Sequence, residues 1–333
     1  MSREEGPIDW AAIPKVELHH HLEGAADPAL ICAMAQEKQI NITGVFDERG
    51  HYKYADFPEF LKVYEAATSV LKTPVDYARL TRAVLEGAVD QGVIYLETFL
   101  SPDFCGGRDL SAWRDYLAAM QEVADDMADT ITLRGIVTCI RHFGPDKAKQ
   151  TALCAAETAG DFIVGYGMGG DETMGRPRDF AWGFDCAREA GLHLTAHAGE
   201  WGDAHMVRDT IDDLHVERIG HGVRAIEGPQ LVEYLAASGI VLEVCPASNV
   251  ALGLYPTLSA HPIARLRDAG VRVTISTDDP PFFHTNMGRE YAALSKTFGW
   301  TPEDFAALNT TAIEAGFCDD TTREAIAKRL ERP

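Results

Sequence analysis

The chain has 333 residues, 46% of them hydrophobic and 24% charged, a size and balance that suit a globular protein with a large core and exclude a disordered or fibrous one. Fifty-one acidic against thirty basic side chains leave a formal charge of −21, which repels phosphate backbones and anionic membranes. Nucleic acid and membrane are therefore not expected as partners, and small neutral or cationic molecules are.

In chain order, the opening residues MSREEGPIDWAAIPK carry neither a basic n-region nor an apolar h-region. No uncharged apolar run is long enough to span a bilayer, and the chain is expected in the cytoplasm. Eight short apolar, β-branched runs then recur: Val16–Leu22, Val93–Ser101, Ile131–Ile140, Phe162–Gly170, Leu192–Gly199, Arg218–Gly222, Ile240–Pro246 and Arg272–Pro280. The connection after the first, Asp27–Gln91, includes FPEFLKVYEAATSVLKTP and is expected to lay extra helices over one mouth of the fold. Amphipathic stretches Pro145–Ala159, Arg178–Ala190, Pro229–Ala237 and Pro262–Ala269 separate later runs, several of them stopping at a glycine, and Thr301–Leu330 reads as closing helices. This alternation predicts an α/β protein with parallel strands joined by crossover helices, and eight repeats favour a closed (β/α)8 barrel over an open doubly wound sheet. No linker or internal repeat divides the chain, so residues 1–333 are expected to form one domain. Seven cysteines, scattered and without a CxxC pair, indicate neither a disulfide framework nor a thiolate zinc site.

In a barrel the C-terminal strand ends form the active face. Here the first ends in HHHLEG, the fifth in TAHAGE, the sixth in IGHG and the eighth in STDDP, where packed strands would carry apolar residues. Strand side chains alternate, so His19 and His21 share a face while His20 points the other way, towards the helical layer or a neighbouring loop. Alone, an HxH pair is more often two packed histidines than a chelate. His197 and Asp278 on later strand ends turn it into a His₃Asp set, whose nitrogen and carboxylate donors suit zinc, with iron, manganese or cobalt as substitutes. Such a cation lowers the pKa of bound water from about 15.7 to near 7. Glu200 sits in the turn after His197, placed as a general acid or as an exposed loop carboxylate. His221, between two glycines, reads as a base, an electrostatic stabiliser or a structural histidine. Asp279 reads as a substrate contact or as an Asx turn before Pro280 and Pro281.

With those residues in place, the chain resembles the adenosine deaminase family of the amidohydrolase superfamily through PKVELHHHLEGA, FPEFLKVYEA, LETFLSPD, GMGGDE, TAHAGE, ERIGHGVR, LEVCPASN and STDDP, in family order over nearly its full length. The resemblance implies a TIM barrel with one Zn2+ per chain held by His19, His21, His197 and Asp278. It also implies catalysis by Glu200, His221 and Asp278: Glu200 protonates purine N1, and a zinc-activated water adds to C6 before ammonia leaves. His21, Glu23, Gly170 and Asp279 are implied at the substrate, with Gly170 on N3 and Asp279 on N7. Phe60, Leu61 and Tyr64 look like the family's apolar gate, although their helical spacing also fits plain core.

Two departures bear on substrate. Typical adenosine deaminases have HLDG where this chain has HLEG, and relatives resembling adenine deaminases share the glutamate, Glu23. Phe99 stands where the family commonly has an arginine. The loop SPDFCGGR keeps the Ser-Pro of the adenosine branch and favours a nucleoside. The leading expectation is hydrolytic deamination of adenosine or 2′-deoxyadenosine. Adenine, or a modified 6-aminopurine nucleoside such as aminodeoxyfutalosine, is the alternative, and a non-catalytic zinc-containing binding protein the rival from another class. The fourth strand ends in GMGG, without a lysine or carboxylate to bridge a second metal.

Overall fold

The computed structural model describes residues 8–331; the first seven residues, part of the opening stretch read above for an n-region and h-region, and the last two of the chain lie outside the described residues. Eight strands, β1 (Lys15–Glu17), β2 (Val93–Leu100), β3 (Thr132–Ile140), β4 (Ile163–Gly169), β5 (His193–Ala198), β6 (Arg218–His221), β7 (Val241–Val244) and β8 (Arg272–Ile275), pair in parallel in sequence order. Three helices precede β2: α1 (Pro28–Lys38), α2 (Phe57–Thr68) and α3 (Pro74–Asp90). Then follow α4 (Leu110–Asp126), α5 (Pro145–Ala156), α6 (Ala181–Glu189), α7 (Ala204–Leu214), α8 (Pro229–Ser238), α9 (Pro246–Ala251) and α10 (Ile263–Asp268) between strands. The chain ends in α11 (Met287–Phe298), α12 (Pro302–Ala315) and α13 (Asp320–Leu330). This is a TIM (β/α)8 barrel with additional helices after the first strand and at the C-terminus, as the count of apolar runs leads one to expect.

The strands stop short of those runs at the polar ends. β1 ends at Glu17 rather than Leu22 and β8 at Ile275 rather than Pro280, because single bridges replace a ladder there: His20 pairs with Asp278 and His21 with Phe99. His21 N donates to the Asp278 carbonyl at 3.0 Å, and Asp278 N to that of His19 at 3.2 Å. The residues expected to bind metal therefore also bring the last strand back to the first.

Helix starts follow ordinary capping chemistry. Asp56 accepts from Glu59 N at 2.9 Å to begin α2, and Thr73 and Asp76 form a reciprocal capping box at α3. α8 and α11 stop at Gly239 and Gly299, both left-handed. The expected helix Arg178–Ala190 is a 3-10 turn, Pro177–Phe180, leading into α6.

The main core lies between barrel wall and helices, while the barrel interior carries charge. Arg218 donates to Glu97 Oε2 and to Glu243 Oε1, both at 2.6 Å, with its guanidinium over the Phe317 ring at 3.5 Å. All seven cysteines are free. Among the described residues no helix is long and apolar enough to cross a membrane.

Candidate active site

One ligand atom each from His19, His21, His197 and Asp278 lies within 4.8 Å of the others. His21 Nε2 is 3.2 Å from both His197 Nε2 and Asp278 Oδ1, and His19 Nε2 is 3.5 Å from Asp278 Oδ1. The far side of each ring decides what faces inward. His19 Nδ1 donates to Glu243 Oε2 at 2.7 Å, and His197 Nδ1 to the Met168 carbonyl at 2.9 Å, which leaves an Nε2 lone pair on each ring directed at the common space. His19 Nε2 is buried without a hydrogen-bond partner. Inward lone pairs converging beside the Asp278 carboxylate fit a divalent cation. The rings need glycine neighbours, since a Cβ on Gly220 would stand 2.8 Å from His19 Cε1.

Glu200 and His221 flank this centre. Both are buried, and His221 Nε2 is 3.8 Å from Glu200 Oε2 and from Asp278 Oδ2. Burial, with Asp278 and Glu172 close by, pushes Glu200 well above its usual carboxylate pKa and favours the protonated form. Burial lowers His221 to about 3, so it is neutral. Its tautomer follows from its neighbours: Ile263 N donates to His261 Nδ1 at 3.2 Å, so His261 Nε2–H donates to Asn249 Oδ1 at 3.1 Å. The Asn249 amide N–H then meets His221 Nδ1 at 3.3 Å, and the ring proton sits on Nε2. Ser248 Oγ donates to Asp278 Oδ2 at 2.7 Å. Both His221 (φ 59°) and Asp278 (φ 66°) are left-handed, a backbone form that non-glycine residues adopt at some cost and that clusters at functional sites. Asp279 is pushed well above the carboxylate range by burial and by Asp278, and its Oδ1 has no hydrogen-bond partner. It packs so closely on Gly24 that a Cβ there would lie 1.5 Å from Oδ1.

These groups open onto a cavity of about 80 Å³ lined by His21, Gly170, His197, Glu200, His221, Asp278 and Asp279, with Phe60, Leu61 and Tyr64 of α2 as its roof. Glu23, expected at the substrate, does not line it. Its carboxyl accepts from Tyr77 OH at 3.0 Å and Tyr64 OH at 3.5 Å, so Tyr64 stands between Glu23 and the cavity. Phe99, the departure on β2, packs beneath the rings of His19 and His21, 4.8 Å from each. His20 turns away as the alternation requires, with Nδ1 3.0 Å from Thr98 Oγ1.

Sequence reasoning missed the supports. Glu243 behind His19, Asn249 and His261 behind His221, Ser248 on Asp278 and Tyr77 on Glu23 all escaped it. Glu172 was missed as well, although its carboxylate receives four amides of the Glu200 turn. A carboxylate in the middle of an apolar strand, as Glu243 is in IVLEVC, was one available signal, and the motifs LEVCPASN and GMGGDE, which contain Ser248, Asn249 and Glu172, were another.

The model of the adenosine deaminase family, described as "Adenosine deaminase", matches residues 14–333. A protein named adenine deaminase from Rhizobium rhizogenes is 47% identical over 320 residues, covering 96% of this chain and 99% of its own. Another adenine deaminase, from Chelativorans, is 46% identical, covering 95% and 98%. Among solved structures, an adenine deaminase from Arthrobacter aurescens superposes with a TM-score of 0.87 at 31% identity, covering 96% of this chain and 98% of its own. An amidohydrolase from Burkholderia ambifaria with bound zinc gives 0.85 at 28%, covering 99% and 95%. These names back the adenine alternative over the expected nucleoside substrate. Of the loop whose Ser-Pro pair favours a nucleoside, Ser101 and Pro102 do not line the cavity and Phe104 does.

Proposed function

The chain belongs to the adenosine deaminase family, and on that premise we propose that it hydrolyses the 6-amino group of adenine, releasing ammonia and a 6-oxopurine, with residues 1–333 acting as one catalytic domain. The observation that carries the choice of substrate is the position of Tyr64. Its hydroxyl reaches Glu23, the glutamate shared with relatives resembling adenine deaminases, and screens that carboxyl from the cavity. The adenine deaminases similar to this chain support the same reading.

One zinc ion per chain, held by His19, His21, His197 and Asp278, would supply Lewis-acid activation of water, as the donor set and the inward lone pairs allow. The protein's own groups do the rest. Protonated Glu200 gives its proton to purine N1, which withdraws electrons from C6. Protonated Asp279 donates to N7, and the Gly170 backbone approaches N3 with no Cβ between. His221 presents its Nε2–H to the oxygen that adds to C6, stabilising the charge that develops there. The Asp278 carboxylate takes one proton of the attacking water and passes it to the amino nitrogen, which departs as ammonia. The water's second proton restores Glu200 as the C6 carbonyl forms, and the proton on N1 stays with the product. Phe60, Leu61 and Tyr64 cover the base and keep bulk water out.

The experiment is to incubate the purified, metal-replete protein with adenine and measure ammonia against loss of the purine absorbance. Equal amounts of ammonia and 6-oxopurine support the reading. Substituting Glu200→Gln should lower kcat by at least about a hundredfold while metal content stays unchanged. A Glu200→Gln variant with undiminished turnover would remove Glu200 from the mechanism.

A further inference from the structure

We infer that Glu172, in the loop after β4, is the positioning residue that sets the direction of the Glu200 side chain. Its own side chain does not line the cavity, so its effect on substrate runs through Glu200. The inference rests on the reading of Glu200 as the acid for N1.

The carboxylate of Glu172 is 1% exposed and accepts from four consecutive backbone amides of the turn that follows β5. Oε1 takes Gly199 N at 2.5 Å, and Oε2 takes Glu200 N at 3.1 Å, Trp201 N at 2.7 Å and Gly202 N at 3.0 Å. Four successive N–H groups can converge on one anion only where the backbone curls, and Gly199 supplies the curl with φ 75°. The turn is shaped around the carboxylate at its other end too, since a Cβ on Gly202 would stand 2.6 Å from Glu172 Oε1. Glu200 is the second amide of the four, so its backbone, and with it the root of its side chain, is fixed by a residue from the loop of a different strand.

The loop carrying Glu172 is itself anchored. Arg141, buried at the end of β3, donates to the carbonyls of Met174 at 2.7 Å and Gly175 at 3.1 Å. Asp171 N donates to His142 Nδ1 at 3.2 Å. A chain of contacts therefore runs from β3 through the β4 loop to the acid that follows β5. A loop free to move would let Glu200 wander; this one gives it a single seat. All four hydrogen bonds that the Glu172 carboxylate accepts come from the turn bearing the acid.

The test compares Glu172→Gln, Glu200→Gln and the double variant as folded, metal-loaded enzymes with adenine. Glutamine keeps the length but sets an N–H₂ against amides that are all donors. Glu172→Gln should lower kcat by about 10- to 100-fold with KM within about twofold, because the reacting groups are misplaced while the base still fits. The double variant should be no slower than Glu200→Gln alone, since both act through one group. Gly202→Ala presses on the same contact from the other side; it should give the same split and serves if Glu172→Gln does not fold. Unchanged kcat per folded, metal-loaded site in Glu172→Gln or Gly202→Ala, with only the melting temperature lowered, would overturn the inference. So would independent, multiplicative losses in the double variant. If Glu200→Gln itself keeps full turnover, the reading of Glu200 falls first, and that outcome is separate from an inert Glu172→Gln beside a crippled Glu200→Gln.

Discussion

His261 decides which nitrogen of His221 carries the proton, acting through the one amide of Asn249 that both rings touch. The amide oxygen is committed to His261, so only the amide nitrogen is left for His221 Nδ1. Asn249→Asp offers an acceptor to both rings and moves the His221 proton to Nδ1, away from Asp278 and Glu200. We expect kcat to fall about a hundredfold with little change in KM, and Asn249→Ala to cost about tenfold. Steady-state kinetics on both variants checks this; a rate in Asn249→Asp equal to that of the parent enzyme would contradict the tautomer argument.

Tyr64 should control the size of the substrate. Tyr64→Ala removes the ring that separates Glu23 from the cavity and makes room beside the base. The ratio of kcat/KM for adenosine to that for adenine should rise about tenfold or more, equivalent to about 1.4 kcal/mol of altered discrimination. A Tyr64→Ala enzyme that keeps its activity on adenine and its discrimination would place the wall elsewhere.

Glu290 on α11 should make stability fall as pH rises. Burial lifts it to about 8, against help from Thr285, which donates to Oε1 at 2.8 Å. Between the unfolded pKa near 4.5 and about 8 the unfolded chain ionises while the folded one holds the proton, so the folded state binds more protons and is progressively disfavoured. Glu290→Gln mimics the protonated form. Its unfolding free energy relative to the parent should grow by on the order of 4 kcal/mol from pH 4.5 to 8 and stay level above that. Urea unfolding across that range provides the measurement, and a constant difference would contradict it.

Glu243 couples the buried ion network to the metal ligands. Burial by itself would raise its pKa, yet Arg218 and His19 bring it down to about 2. Glu243→Gln leaves His19 without its anionic acceptor and Arg218 with Glu97 as its one carboxylate partner, beside the Ala315 carbonyl. Metal affinity should drop about 10- to 100-fold, and stability by about 3–5 kcal/mol. Metal titration and denaturant unfolding read the two effects separately.

What could be read in the sequence was what repeats or stands out locally. The eight apolar runs gave barrel order, and histidines and aspartates at strand ends marked the face where His19, His21, His197 and Asp278 meet. Strand boundaries slipped most at β1 and β8, because HHHLEG and STDDP are polar, close the barrel through single bridges and have no ladder to extend. The supports were hidden because each joins residues far apart in the chain: Glu243 to His19, Glu172 to Glu200, Tyr64 to Glu23. The contact that bears on substrate size was hidden for a related reason. The spacing of FPEFLKVYEA shows that Tyr64 lies on the same helix as Phe60, but not that its hydroxyl reaches Glu23.

The most direct test of the account is the ratio of kcat/KM for adenine to that for adenosine, measured on one metal-replete preparation. The account predicts that adenine is favoured by at least about a hundredfold, roughly 2.7 kcal/mol. Equal turnover of the two, or a preference for adenosine, would contradict it.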